Sequence, residues 1–257
     1  MNVVVEGEAG APVVVLVHGV GLDHRMWNGI AGRLCGHRQV VRYDLAGHGT
    51  AEAIDDRWSL GLFVDQLDDV ATQAGLDRFD LVGFSLGALI AQGYALAHPA
   101  RLRTLVLMNS VFDRRSEDRQ AIITRVDEVR TGRYADSIEP ALERWFTPEF
   151  SVESPHVVAD IRSRLQRNDV ESYASAYDVF ARADEALAGR AGDIAVPTLV
   201  VTGQDDARST PEMSRRLTHA MPNARCEIVP GLRHLAPVEA PAIIAALIDD
   251  FLKEPHV

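Results

Sequence analysis

Phe79-Asp80-Leu81-Val82-Gly83-Phe84-Ser85-Leu86-Gly87-Ala88-Leu89-Ile90 is the stretch that decides the fold. It opens on an apolar run of strand character, Phe79 to Val82, and closes on an apolar helix-forming run, Leu86 to Leu96. Between them stands Gly-x-Ser-x-Gly, Gly83 to Gly87. A serine on so sharp a strand-to-helix turn is held in a strained backbone conformation with its hydroxyl pushed outward. The flanking glycines are needed where strand and helix approach too closely for a Cβ. The pattern alone is ordinary turn chemistry; its strand-turn-helix setting makes Ser85 a candidate nucleophile.

Working outward, the same alternation of apolar strand and amphipathic helix recurs on both sides. Asn2 to Val5 is a short strand candidate, and Val13-Val14-Val15-Leu16-Val17 is a β-branched run apolar on both faces, as a central strand of a parallel sheet requires. A helix is expected from about His24 to Leu34, a strand at Val40 to Tyr43 and a helix through Leu60, Phe63, Val64, Leu67, Val70 and Ala71. Leu102 to Met108 makes a further buried strand. The alternation then stops. Val111 to Leu187 shows only helix patterns, around Gln120–Thr131, Ser137–Phe146, Val157–Arg167 and Ser172–Arg182. It resumes with a strand at Pro197–Thr202, a helix at Pro211–Ala220, a strand at Cys226–Val229 and a helix at Pro237–Leu252. These elements predict an α/β domain with a mostly parallel, doubly wound sheet: residues 1–110 and 188–257 form the core, and 111–187 a helical lid over the sheet edge where ligands bind.

The composition narrows the partners. A net charge of −11 argues against nucleic acid or an anionic membrane surface. No apolar run reaches the length of a membrane span, and the first residues carry no basic and apolar leader pattern. Cys35 and Cys226 are far apart and in no C-x-x-C arrangement, so free thiols in a reducing cytoplasm are expected. There is no H-E-x-x-H and no His/Asp group spaced as a ligand set, so neither a metal nor another cofactor is expected. Oligomeric state is left open.

A serine hydroxyl is a poor nucleophile at neutral pH and needs a base that is itself oriented by an acid. After Ser85 the next strand end to carry an acid is Gly203-Gln204-Asp205-Asp206, and the last strand is followed by Pro230-Gly231-Leu232-Arg233-His234. All three sites follow strands at the same sheet edge, in the chain order nucleophile, acid, base. Ser85 is expected as nucleophile, His234 as general base and then acid, and Asp206 as the orienting acid. Asp205 is its rival; Asp206 is preferred because it stands three residues after Gly203. An oxyanion needs backbone N–H donors, one from the residue after the nucleophile, Leu86, and one from His18-Gly19-Val20-Gly21, assigned to Val20. His18 and His48 are read as structural residues at strand and turn positions.

Taken together, His18-Gly19-x-Gly21 with Trp27, Asp44 to Gly49, Gly83-x-Ser85-x-Gly87, Gly203-x-x-Asp206 and His234 with Glu239 resemble the α/β-hydrolase superfamily over nearly the whole chain. The resemblance implies the α/β-hydrolase fold and a serine hydrolase. Within it, the lid and Arg144-Trp145-Phe146-Thr147-Pro148-Glu149-Phe150 look like the 3-oxoadipate enol-lactonases. The His18 to Leu22 and Gly83 to Gly87 segments are about as similar to small carboxylesterases that cleave methyl esters of acyl carriers.

The leading expectation is therefore hydrolysis of a small carboxylic ester or lactone through an acyl-enzyme. C–C bond hydrolysis or cofactor-free perhydrolysis on the same fold are alternatives, and a ligand sensor with little turnover belongs to a different class. Dehalogenase and epoxide hydrolase chemistry are disfavoured, since those resemblances need an Asp where Ser85 stands. Trp145 and Phe146 either line an apolar pocket or form the lid's own core. The lid arginines Arg125, Arg130, Arg133, Arg162, Arg164 and Arg167 are read as solvated faces; the lactonase resemblance implies that one could meet a substrate carboxylate.

Overall fold

The β-branched runs lie side by side in one seven-stranded sheet, in the order β1-β3-β2-β4-β5-β6-β7. The computed structural model describes residues 2–54 and 57–255, so the outermost limits expected for the core, residues 1 and 257, lie outside the described residues. The strands are β1 (Val3–Glu6), β2 (Val13–Val17), β3 (Gln39–Tyr43), β4 (Phe79–Phe84), β5 (Leu102–Met108), β6 (Thr198–Gly203) and β7 (Ala224–Val229). Only β1 runs antiparallel, with Val3 opposite Tyr43; every other neighbouring pair is parallel. The strand that delivers Ser85, β4, is central and buried along its whole length.

Strand side chains alternate between two faces, and both faces are covered. Val14 and Leu16 pack with Ile30 and Leu34 of α1 (Asn28–Leu34). Val15 and Val17 pack on the other side with Phe63 and Leu67 of α2 (Leu60–Gln73) and Leu89 of α3 (Leu86–Ala97). That two-sided burial is why the run at Val13 is apolar at every position rather than at every second one.

Between β5 and β6 the chain contains helices alone: α4 (Ser116–Glu128), α5 (Tyr134–Trp145), α6 (Pro148–Glu153), α7 (Pro155–Gln166) and α8 (Val170–Ala188). The first of these is separated from α5 by a π-helical turn in which Gly132 takes φ 96°, a value that favours glycine. The insertion is held together internally by a buried ion pair, Arg114 Nη2 to Asp184 Oδ1 at 2.6 Å, and by the Tyr134 hydroxyl donating to the Leu165 carbonyl at 2.7 Å.

After β6 come α9 (Pro211–Ala220), α10 (Ala236–Glu239) and α11 (Pro241–Lys253). The single helix expected from Pro237 is two: Ala240, preceding Pro241, leaves the helical region at φ −130° and ψ 58° because the proline ring crowds it. The helix expected from His24 likewise opens as a separate 3-10 turn, His24–Trp27, capped by the Asp23 carboxylate. Among the described residues no helix is long and apolar enough to cross a membrane.

Candidate active site

Ser85 sits between β4 and α3 with φ 55° and ψ −113°, a conformation that non-glycine residues rarely adopt. Holding it there costs on the order of 1–3 kcal/mol, which the surroundings must supply. They do so at three points. The Ser85 N–H donates to the Met108 carbonyl at 2.9 Å, and the Ser85 carbonyl accepts from Ala88 N–H at 3.0 Å. A Cβ on Gly83 would fall on the Gly87 carbonyl oxygen, and one on Gly87 would fall on the carbonyl oxygens of Val17 and His18. Strand, turn and helix thus meet backbone to backbone, which only these glycines allow. Leu86 is the first residue of α3, where helix geometry gives its N–H no intrahelical acceptor.

Asp206 lies buried just beyond β6 and uses both carboxylate oxygens. Oδ1 accepts the N–H groups of Arg208 and Ser209 at 2.9 and 3.0 Å. Oδ2 accepts from His234 Nδ1 at 2.7 Å and from Asn109 Nδ2 at 2.8 Å. Burial alone would raise this carboxyl, but attraction to His234 and the hydrogen bonds outweigh it and hold it below the ordinary aspartate value. As an anion it can only accept, so the proton of the shared bond sits on Nδ1 and the His234 Nε2 lone pair is left available. The ring is packed against Phe84, 5.0 Å between centroids, and faces Trp145 at 6.2 Å. Asp205, by contrast, is exposed. Gly203 explains the spacing: a Cβ there would strike the carbonyl oxygens of Leu232 and Arg233, so the acid-bearing turn and the His234 loop pack in direct backbone contact.

Ser85, His234, Asp206, Val20 and Trp145 all line one cavity of about 500 Å³. Its loop wall is set by His18, fully buried, whose Nδ1 pairs with the Gly19 carbonyl at 2.8 Å while Nε2 accepts from Leu45 N–H at 2.9 Å. Burial lowers its pKa, so the ring is neutral and structural. In a trans peptide the C=O and N–H point opposite ways, so fixing the Gly19 carbonyl also fixes the direction of the Val20 N–H. The helical insertion buttresses the same loop: Asn168 Nδ2 donates to the Gly21 carbonyl at 2.9 Å, and the Tyr173 ring packs on Gly21. His48 is also buried, with Nδ1 on the Ala46 carbonyl at 3.0 Å.

Several assignments left open by the sequence are separated by the geometry. Trp145 lines the cavity, whereas Phe146 is core and stacks on Phe150 at 5.2 Å. Of the six lid arginines named from sequence, Arg125 alone reaches the cavity. Arg130, Arg133, Arg162 and Arg164 pair with Glu171, Glu128, Glu139 and Asp23, and Arg167 bonds to Ser163. The fold also gathers Asp23, His24 and Asp44, a set that the sequence spacing had not suggested. Their oxygens are already committed: Asp44 accepts from His24 N–H, His24 Nδ1 and Thr50 N–H, and Asp23 pairs with Arg25 and Arg164. Such a set reads as a hydrogen-bonded brace between two loops. Asn109 and Arg208 were missed altogether, and Arg144, which lines the cavity, was named only within the stretch that resembles the enol-lactonases; the turn residue Asn109 at the end of β5 was the one available signal.

Residues 14–247 match the model of the alpha/beta hydrolase family. The chain is 30% identical to (E)-2-((N-methylformamido)methylene)succinate hydrolase of Acinetobacter baylyi, over 92% of this chain and 88% of that one. It is 25% identical to 3-oxoadipate enol-lactonase 1 of the same organism, over 98% of this chain and 93% of that one. The crystal structure of the enol-lactonase from Burkholderia xenovorans superposes with a TM-score of 0.91 at 28% identity, covering 98% of this chain and 96% of the other.

Proposed function

This chain belongs to the alpha/beta hydrolase family, and we propose that it is a serine hydrolase cleaving a small carboxylic ester or lactone through an acyl-enzyme. The observation that carries the reading is the Asp206–His234 bond in a cavity whose floor is the strained Ser85. Ser85 Oγ attacks the carbonyl carbon while His234 Nε2 takes the hydroxyl proton; Asp206 holds the ring and stabilises the imidazolium. The carbonyl oxygen becomes an oxyanion that accepts hydrogen bonds from the Leu86 and Val20 N–H groups. On collapse His234 gives its proton to the departing alkoxide, leaving an alcohol, or a hydroxyl on the same acyl chain for a lactone. Water, deprotonated by His234, then attacks the ester carbon, the acid leaves and Ser85 regains its proton.

The name of one relative, a lactonase, supports an ester-like substrate; another is named as the hydrolase of a succinate that bears a formamide group. In this reading residues 111–187 act as a lid on the core formed by 1–110 and 188–257, with Trp145 lining the site beside His234. The free Cys35 and Cys226 suit a cytoplasmic protein acting on small molecules. The test is rapid mixing of purified protein with short p-nitrophenyl esters and with lactones, in the presence of chelator. Turnover that chelator does not reduce, with accumulation of an acylated protein, upholds the reading. Tight binding of these compounds without any acylation would replace it with a sensor.

A further inference from the structure

Among the described residues the His234 ring makes one hydrogen bond, from Nδ1 to Asp206. A bond at one nitrogen leaves the aim of the other, Nε2, to the ring's side contacts and to the backbone that carries it. Before His234 the core sets that backbone: Asp205 N–H donates to the Leu232 carbonyl at 2.9 Å, and Gly203 lies against the Leu232 and Arg233 carbonyls. After His234 the helical insertion takes over. Leu235 N–H donates to the Trp145 carbonyl at 2.9 Å. Arg233 Nη1 donates to the Glu143 and Phe146 carbonyls at 2.6 and 3.0 Å. A helix leaves its last carbonyls without partners, and the residues on either side of His234 supply them to the end of α5.

A third tie comes from Glu239, at the end of α10. That turn is closed on the Leu235 carbonyl by the Val238 and Glu239 N–H groups, at 2.9 and 3.0 Å, so Glu239 is rigidly joined to the residue after His234. Its partly buried side chain reaches Thr147. Oε2 accepts the Thr147 N–H at 3.2 Å, and Oε1 accepts from the Thr147 hydroxyl. The same hydroxyl oxygen caps α6 by accepting Phe150 N–H at 3.2 Å, which leaves its proton for Glu239. Trp145 stands between the tied residues with its ring 6.2 Å from that of His234. Residues 143–147 of the insertion and 233–239 of the core are therefore one hydrogen-bonded block around the His234 ring. Arg233, Glu239 and Thr147 all lie outside the cavity lining.

We propose that Arg233 and Glu239 are positioning residues for the general base: by fastening the His234 loop to the end of α5 they aim Nε2 at Ser85. This rests on the hydrolytic reading above. Asp206 fixes one end of the ring and the insertion fixes the other. Proton transfer needs Nε2 within hydrogen-bond reach of the hydroxyl, and a misplacement of about 1 Å costs on the order of 10²-fold. Neither residue meets the cavity, so the substrate binds without them and their loss is felt in the chemical steps. The insertion then has a second task besides covering the site.

Rates on p-nitrophenyl acetate test it, read per active site after exhaustive labelling with diisopropyl fluorophosphate, so that unfolded protein does not count. Glu239→Ala and Arg233→Met each lower kcat about tenfold and leave KM within about twofold. Glu239→Gln can keep both contacts, its amide oxygen taking the Thr147 N–H and its amide nitrogen donating to the hydroxyl oxygen, and returns kcat to within about threefold of the wild type. Wild-type kcat per site in either Glu239→Ala or Arg233→Met, a rise in KM alone, or a Gln variant as slow as the Ala one would overturn the proposal. One measurement needs no variant to fold: in the wild type the Leu235 amide exchanges with solvent as slowly as those of β6, and exchange as fast as in exposed loops contradicts the clamp. Failure of the hydrolytic reading looks different, since the wild type then turns over no ester. The NMR signal of the His234 Nδ1 proton decides the positioning claim in that case. Faster exchange with water in Glu239→Ala than in the wild type upholds it, and the same signal in both proteins contradicts it.

Discussion

His234 Nδ1 lies 2.7 Å from Asp206 Oδ2, while Asp205, the adjacent carboxylate, is exposed to solvent. Two acids next to each other in sequence therefore have unrelated surroundings. Replacing Asp206 with Asn puts an amide where an anion fixed the tautomer of the ring, and kcat should fall on the order of 10³–10⁴-fold. Asp205→Asn should leave kcat close to wild type. Steady-state rates on p-nitrophenyl acetate, with circular dichroism to show that both variants fold, check the pair; the reverse ranking moves the acid to Asp205.

Asn109 stands at φ 48° and donates to the same Asp206 oxygen that His234 uses. Asn109→Gly keeps the backbone at ease and removes only the donor. With one hydrogen bond fewer the Asp206 carboxylate is held less firmly against His234, and kcat should fall by roughly tenfold, the effect of one such bond. An unchanged kcat in a folded variant would reduce Asn109 to a packing residue.

The carboxylate that meets His234 was legible because backbone geometry dictated its spacing. Gly83, Gly87 and Gly203 each abut a carbonyl oxygen, so the chain could place no other residue there, and the motif carries the contact within itself. Asn109 carries no such mark: its partner is 97 positions away, and nothing local distinguishes it from any turn residue. Arg144 and Arg208 were hidden for a related reason. What sets them apart is that they line the cavity, and that is decided by how segments from distant parts of the chain pack. The same holds for Trp145 and Phe146, adjacent residues of which one faces the cavity and the other the core.

Stability should fall as the solution is acidified from about pH 6.5 towards 4. Burial, followed by repulsion from His18, holds His48 down to about 4, and burial lowers His18 as well. An unfolded imidazole takes up its proton near pH 6.5, so below that value the unfolded chain binds more protons and is favoured. His48 alone would account for on the order of 3 kcal/mol across the window. Denaturant melts at several pH values check it: the wild type should lose stability through this range, and His48→Gln should show a shallower slope. A flat wild-type curve would contradict the burial of neutral histidines.

The central claim is that Ser85 is the nucleophile, and covalent labelling tests it most directly. Diisopropyl fluorophosphate should place one phosphoryl group per chain, on the peptide that contains Ser85. Activity should be lost in step with labelling, and Ser85→Ala should be neither labelled nor active. Wild-type turnover by Ser85→Ala, or complete inactivation with Ser85 unmodified, would contradict the account.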